Sequence, residues 1–118
     1  MKANGLRLRF NPVNLVLTAC SNLYGDLLTN VAIDLIDSPL RGKNKVAGFT
    51  QFPAIPGQPI IVAINCKLPF MSVPEIIAHE IAHVILGAEE NHGKVWELVF
   101  NDITAEYNRL AEEELQKM

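Results

Sequence analysis

The sequence predicts a small α+β domain with an N-terminal helix, a three-stranded and mainly antiparallel sheet, a histidine-bearing helix and a long C-terminal helix. Three observations predict it. Apolar residues recur at helical spacing after Asn11, after Ser72 and after Gly93. Between the first two of these segments lie three short runs rich in β-branched residues, "NVAIDLID", "KVAGFTQF" and "QPIIVAIN". The connections between the runs, "SPLRGKN" and "PAIPG", are built from turn residues.

The 118 residues suit one domain, spanning 1–118, with no repeat and no composition break to mark a linker. A chain of this size buries roughly two-thirds of its unfolded surface, enough for one core without staples. An apolar fraction of 49% and a charged fraction of 19% fit a soluble globular protein. The net charge of −3 argues against general nucleic-acid affinity, which needs a basic face, although Arg41, Lys43 and Lys45 form a local basic patch. No apolar run reaches the ~18 residues that span a bilayer. Cys20 and Cys66 stand apart, without a CxxC pair, so they build neither a zinc ribbon nor a thioredoxin-type site. Lone thiols fit a reducing, cytoplasmic setting. "LTAC" at 17–20 follows a basic start and looks like a lipoprotein cleavage site, but the asparagines and proline of "FNPVNLVL" suit a signal peptide poorly; the alternative puts Cys20 on a helix of the fold.

Each element has a local reason. "LRLRF" at 6–10 alternates like a brief strand. Asn11 is an N-cap candidate and Pro12 suits the first helical position, where its missing N–H costs nothing. Val13, Val16, Leu17, Cys20, Leu23 and Tyr24 form the helix's apolar side, and Gly25 is expected to close it in the left-handed conformation. "NVAIDLID" switches to period two, with Val31, Ile33 and Leu35 on one face; the rival reading continues the first helix through it. "SPLRGKN" reads as a basic loop. Gly48 inside the next strand signals a bulge or a close backbone approach. Ser72 and Glu75 have the spacing of a capping box, and "EIIAHEIAHVIL" follows until Gly87. After the acidic loop "AEEN", Val95, Trp96, Val99, Phe100, Ile103, Tyr107 and Leu110 stripe the last helix, whose tail "AEEELQKM" is a solvated face.

All three histidines fall in one stretch, at 79, 83 and 92. His79 and His83 are one helical turn apart, about 6 Å along the axis, so both rings reach one zinc ion at ~2.0–2.1 Å. Glu80 sits beside them, placed for a metal-bound water rather than for the metal. Left without a metal, this helix would carry two imidazoles and a carboxylate beside a core, and an unpaired buried carboxylate costs several kcal/mol. A hydrolytic zinc needs a third protein ligand and an open fourth position. His92 is the candidate, because Gly87 and "AEEN" allow the chain to reverse; Glu89, Glu90 and Glu97 are its rivals. Ligand type alone leaves manganese and iron open.

"HEIAH" followed by "NHGKVW" resembles the SprT-like family of zinc metallopeptidases, in which HExxH is followed after a variable spacer by a histidine–glycine pair and an aromatic residue. Here the spacer between His83 and His92 is eight residues. "KVAGFT" and "IIVAIN" resemble the family's Ala-Gly strand and the strand ending in asparagine, so the likeness runs from roughly 23 to 107. The resemblance implies a zincin-type domain, one Zn2+ held by His79, His83 and His92, and Glu80 as the catalytic residue. It implies a protein or peptide substrate. No zinc ribbon or other DNA-binding tail follows "HGKVW" and the balance is acidic, so the family's role in DNA–protein crosslink proteolysis transfers only weakly.

The chemistry expected is peptide hydrolysis with Glu80 as general base. The strand "QPIIVAIN" is expected to offer an open edge to an extended substrate, and Trp96 to pack under the metal site. Two alternatives stand beside this reading: an ImmA/IrrE-like regulatory peptidase with an acidic third ligand such as Glu97, and a non-catalytic, metal-stabilised interaction module.

Overall fold

The computed structural model describes residues 10–37, 39–41, 43–87 and 92–117. Helix α1 (Pro12–Tyr24) begins as the sequence predicts: the Asn11 side chain accepts from the N–H groups of Val13 and Asn14, and Pro12 occupies the first turn. Its end differs. Gly25 is right-handed (φ −50°, ψ −39°), and the chain tightens into a 3-10 turn, Gly25–Leu27, rather than stopping on a left-handed cap. Strand β1 (Val31–Ile36) follows, so the first helix does not continue. Where the sequence reads as the loop "SPLRGKN", β2 (Leu40–Arg41) pairs antiparallel with β3 (Asn44–Lys45), which runs one residue past it.

Strands β4 (Gly48–Gln51) and β5 (Ile60–Asn65) complete a three-stranded sheet in the order β1-β5-β4. The sheet is mixed, which corrects the antiparallel expectation: β5 runs parallel to β1, with Val31 opposite Ile60, and antiparallel to β4, with Gly48 opposite Ile64. β5 is therefore the central strand, and among the described residues the open edges of this sheet are those of β1 and β4, not of β5. The physical sign lies in β5 itself. Ile60–Ile64 is an unbroken apolar run with Val62, Ala63 and Ile64 all buried, as a strand flanked on both sides demands.

A 3-10 turn, Phe70–Ser72, leads straight into α2 (Val73–Leu86). The expected capping box does not form: Ser72 has helical dihedrals and makes no side-chain cap bond, because the preceding turn already carries the backbone into the helix. Gly87 ends α2 at φ 94°, ψ 169°, a region almost confined to glycine, while its N–H donates to the His83 carbonyl. Helix α3 (Lys94–Gln116) is the longest element. The core joins Val16 and Cys20 of α1, Val62 and Ile64 of β5, Ile77, Ile81 and Ala82 of α2, and Val99 and Ile103 of α3. Cys20 is thus a core residue, and burial pushes its thiol up to about 12. Leu35, placed by its period with Val31 and Ile33, is instead exposed. The expected strand at 6–10 lies, Phe10 apart, outside the described residues, as does the acidic loop at 88–91. No helix among the described residues is long and apolar enough to cross a membrane.

At Gly48 α2 lies tightly against the sheet. A Cβ there would lie 2.9 Å from the Ala63 carbonyl oxygen and 3.0 Å from Cγ2 of Ile76. The absence of a side chain lets α2 settle onto β4, which is the close approach the sequence signals.

Candidate metal centre

α2 has the 3.6-residue repeat of any helix, and its apolar residues decide how it turns. Ile77, Ala78, Ile81 and Ala82 face the core, which leaves His79 and His83 half-buried along one margin. Gly87 ends α2, and His92 lies two residues before the start of α3. The result is convergence. One ring nitrogen from each of His79, His83 and His92 lies within 4.8 Å of the others. His83 Nε2 and His92 Nε2 are 2.8 Å apart, and the ring centroids lie 4.7–5.0 Å from one another.

Trp96, one turn into α3, touches all three rings, at centroid distances of 4.8 Å to His79, 5.7 Å to His83 and 4.6 Å to His92. Phe100 stacks behind it at 5.1 Å with the planes 8° apart. The indole is a floor for the histidines, as the sequence predicts for Trp96. Its Nε1–H is buried and meets no acceptor among the described residues. Burial lowers the His79 pKa; the Glu80 carboxylate opposes that shift and His92 adds to it. A neutral imidazole is the form that ligates a metal.

Glu80 is buried, at 7% exposure, next to this cluster. One carboxylate oxygen, Oε1, accepts a 2.8 Å hydrogen bond from Thr50 Oγ1 on β4. The other, Oε2, is 4.0 Å from His79 Nε2. A cleft of about 250 Å³ opens here, between Ala47 and Gly48 on one side and Ile76, His79, Glu80 and Phe100 on the other.

The donor set fits a divalent transition ion. Three imidazoles suit zinc, copper, iron or nickel, and tetrahedral zinc with ~2.0–2.1 Å bonds sets its ligand nitrogens about 3.3 Å apart. The 2.8 Å pair and the 4.8 Å outer limit bracket that spacing. All three histidines predicted as ligands are thus brought together. Glu97 is exposed and outside the convergent group, while Glu89 and Glu90 lie outside the described residues.

The chain matches no family model, no curated protein and no solved structure. The site is therefore read from its own geometry. That geometry adds one residue the sequence reading missed, Thr50. Nothing local marks it, since a threonine in a strand is ordinary and its partner is thirty residues away.

Proposed function

We propose that the chain is a zinc-dependent metallopeptidase of SprT-like, zincin type, with His79, His83 and His92 as ligands and Glu80 as general base. The observation that carries the reading is a buried carboxylate aimed at the margin of a three-histidine cluster, beside an open cleft. A purely structural four-ligand zinc site would need a fourth protein donor, and among the described residues the convergent group supplies three. When bound, zinc supplies Lewis acidity and brings the pKa of water down to about 7.

The protein's own groups then divide the work. Glu80 takes a proton from the attacking water through Oε2 and passes it to the nitrogen of the departing amine as the C–N bond breaks. The edge of β4 that faces away from β5 pairs with no other strand among the described residues, so it is the place for an extended peptide to add as a strand. Gly48 and Ala47 of that region also line the cleft. Beyond Glu75 and Phe100, a second cavity of about 250 Å³ bounded by Met71, Pro74, Ala78 and Tyr107 offers room for a substrate side chain. A protein or peptide substrate and a cytoplasmic setting follow from the same reading; the free thiols of Cys20 and Cys66 are consistent with it.

The test pairs elemental analysis with Glu80→Gln. The purified protein should carry one zinc and cut unfolded casein. Glu80→Gln should keep zinc and fold yet lose cleavage by about a hundredfold or more, the usual worth of a positioned base. A variant that cleaves as well as the parent would remove Glu80 from the chemistry.

A further inference from the structure

A general base has to present one particular oxygen. Glu80 has three side-chain torsions between its backbone and its carboxylate, so α2 alone does not fix which way that carboxylate faces. The sheet supplies the missing constraint. Thr50 Oγ1 donates to Oε1 at 2.8 Å and also lies 3.3 Å from the Glu80 main-chain oxygen. With Oε1 so occupied, Oε2 is the oxygen left on the side of His79.

Thr50 is itself held firmly. Its backbone is registered opposite Val62 of the central strand, and its β-branched side chain has few rotamers. Two residues earlier, Gly48 permits the close approach of α2 to β4, since a Cβ there would lie only 3.0 Å from Cγ2 of Ile76 on α2. A strand, a glycine and a hydroxyl thus act in series on one carboxylate.

We propose that Thr50 is the positioning residue of the general base: it ties up Oε1 of Glu80 and thereby dedicates Oε2 to proton transfer. The proposal rests on the peptidase reading above. It differs from a merely structural bond, which would satisfy a buried carboxylate and affect folding alone. A positioning bond acts on turnover, acts only through Glu80, and is kept by any residue that retains the hydroxyl.

The experiment uses Thr50→Val, Thr50→Ala and Thr50→Ser, each alone and Thr50→Val also combined with Glu80→Gln. The probe is an internally quenched peptide taken from the fastest-cut site of unfolded β-casein. Thr50→Val and Thr50→Ala should lower kcat about tenfold or more while KM stays within about twofold, as misplacement of a reacting group does. Thr50→Ser should recover most of the rate. In the Glu80→Gln background, Thr50→Val should change the residual rate by less than about twofold, because the two substitutions act on one step. Zinc affinity should be unchanged throughout. In metal-free protein carrying ¹³C-labelled glutamate, the infrared carboxylate band of Glu80 should shift in Thr50→Val and Thr50→Ala and stay in place in Thr50→Ser. Full kcat in folded Thr50→Val or Thr50→Ala, or a loss that persists undiminished when Glu80 is already glutamine, overturns the proposal. An active parent with an inactive Glu80→Gln and a fully active Thr50→Val defeats this inference alone; a zinc-loaded parent that cuts nothing defeats the peptidase reading and this inference together.

Discussion

On the inner side of α2, Ile77, Ala78, Ile81 and Ala82 are almost wholly withdrawn from solvent; on its outer margin His79 and His83 remain half-exposed. The inner side is fixed by area. Each fully buried isoleucine contributes roughly 1.5–3 kcal/mol, and α1, β5 and α3 all supply partners. The outer margin is held by rings and single polar contacts: His92 across a 2.8 Å contact, Trp96 as a floor, and Thr50 holding the carboxylate between the two sides. The contrast teaches that the fold and the site are separately secured. The core places α2 and α3, and His92, two residues before α3, lies against His83. The polypeptide is therefore expected to fold without a metal, and a metal that binds the three histidines to occupy a margin already shaped.

The strongest way to break the comparison is from the inner side. Ile77→Ala removes a side chain that is 0% exposed and should cost about 2–5 kcal/mol, with the denaturant midpoint falling equally in zinc and in chelator. An attack on the outer margin should do the opposite. His83→Ala should shift the chelator-treated midpoint by less than about 1 kcal/mol, the worth of one ordinary hydrogen bond, while abolishing the stabilisation that added zinc confers on the parent. Equal losses in both conditions would show that the histidines serve the core.

The smallest effect belongs to a third region, the solvated end of α3. There Arg109 donates to Glu106 at 2.7 Å, and Asn22 of α1 donates to the same carboxylate at 2.9 Å. The Arg109 bond, then that of Asn22, hold the Glu106 pKa down, from 4.5 to about 2. A depressed carboxylate pKa stabilises the fold above the unfolded value. That contribution should be complete above pH 4.5 and disappear as pH falls through about 2, and Arg109→Ala should flatten this part of the acid-unfolding curve. Salt should weaken it, since the Arg109 side chain is exposed.

How much of this was legible in the sequence depended on the range of each interaction. The Asn11 cap and the four-residue spacing of His79 and His83 are local, and the structure has them where the sequence does. His92 was readable because a glycine stop followed by a short polar stretch allows the chain to return. The parallel pairing of β1 with β5 was not readable from period two, which says which face is buried and not which strand lies alongside; the fully apolar run of β5 was the available sign of a central strand. Ser72 and Gly25 misled because neighbouring 3-10 turns changed the dihedrals that capping requires. Thr50 was invisible because only the folded sheet brings it to Glu80.

Zinc stoichiometry in the parent and in His92→Ala, measured on metal-free protein titrated with the ion in the presence of a competing chelator, tests the convergence of three imidazoles most directly. One tightly held zinc per chain is expected in the parent, with that tight binding lost in a His92→Ala protein that still folds. A His92→Ala protein that binds a full equivalent as tightly as the parent would contradict it.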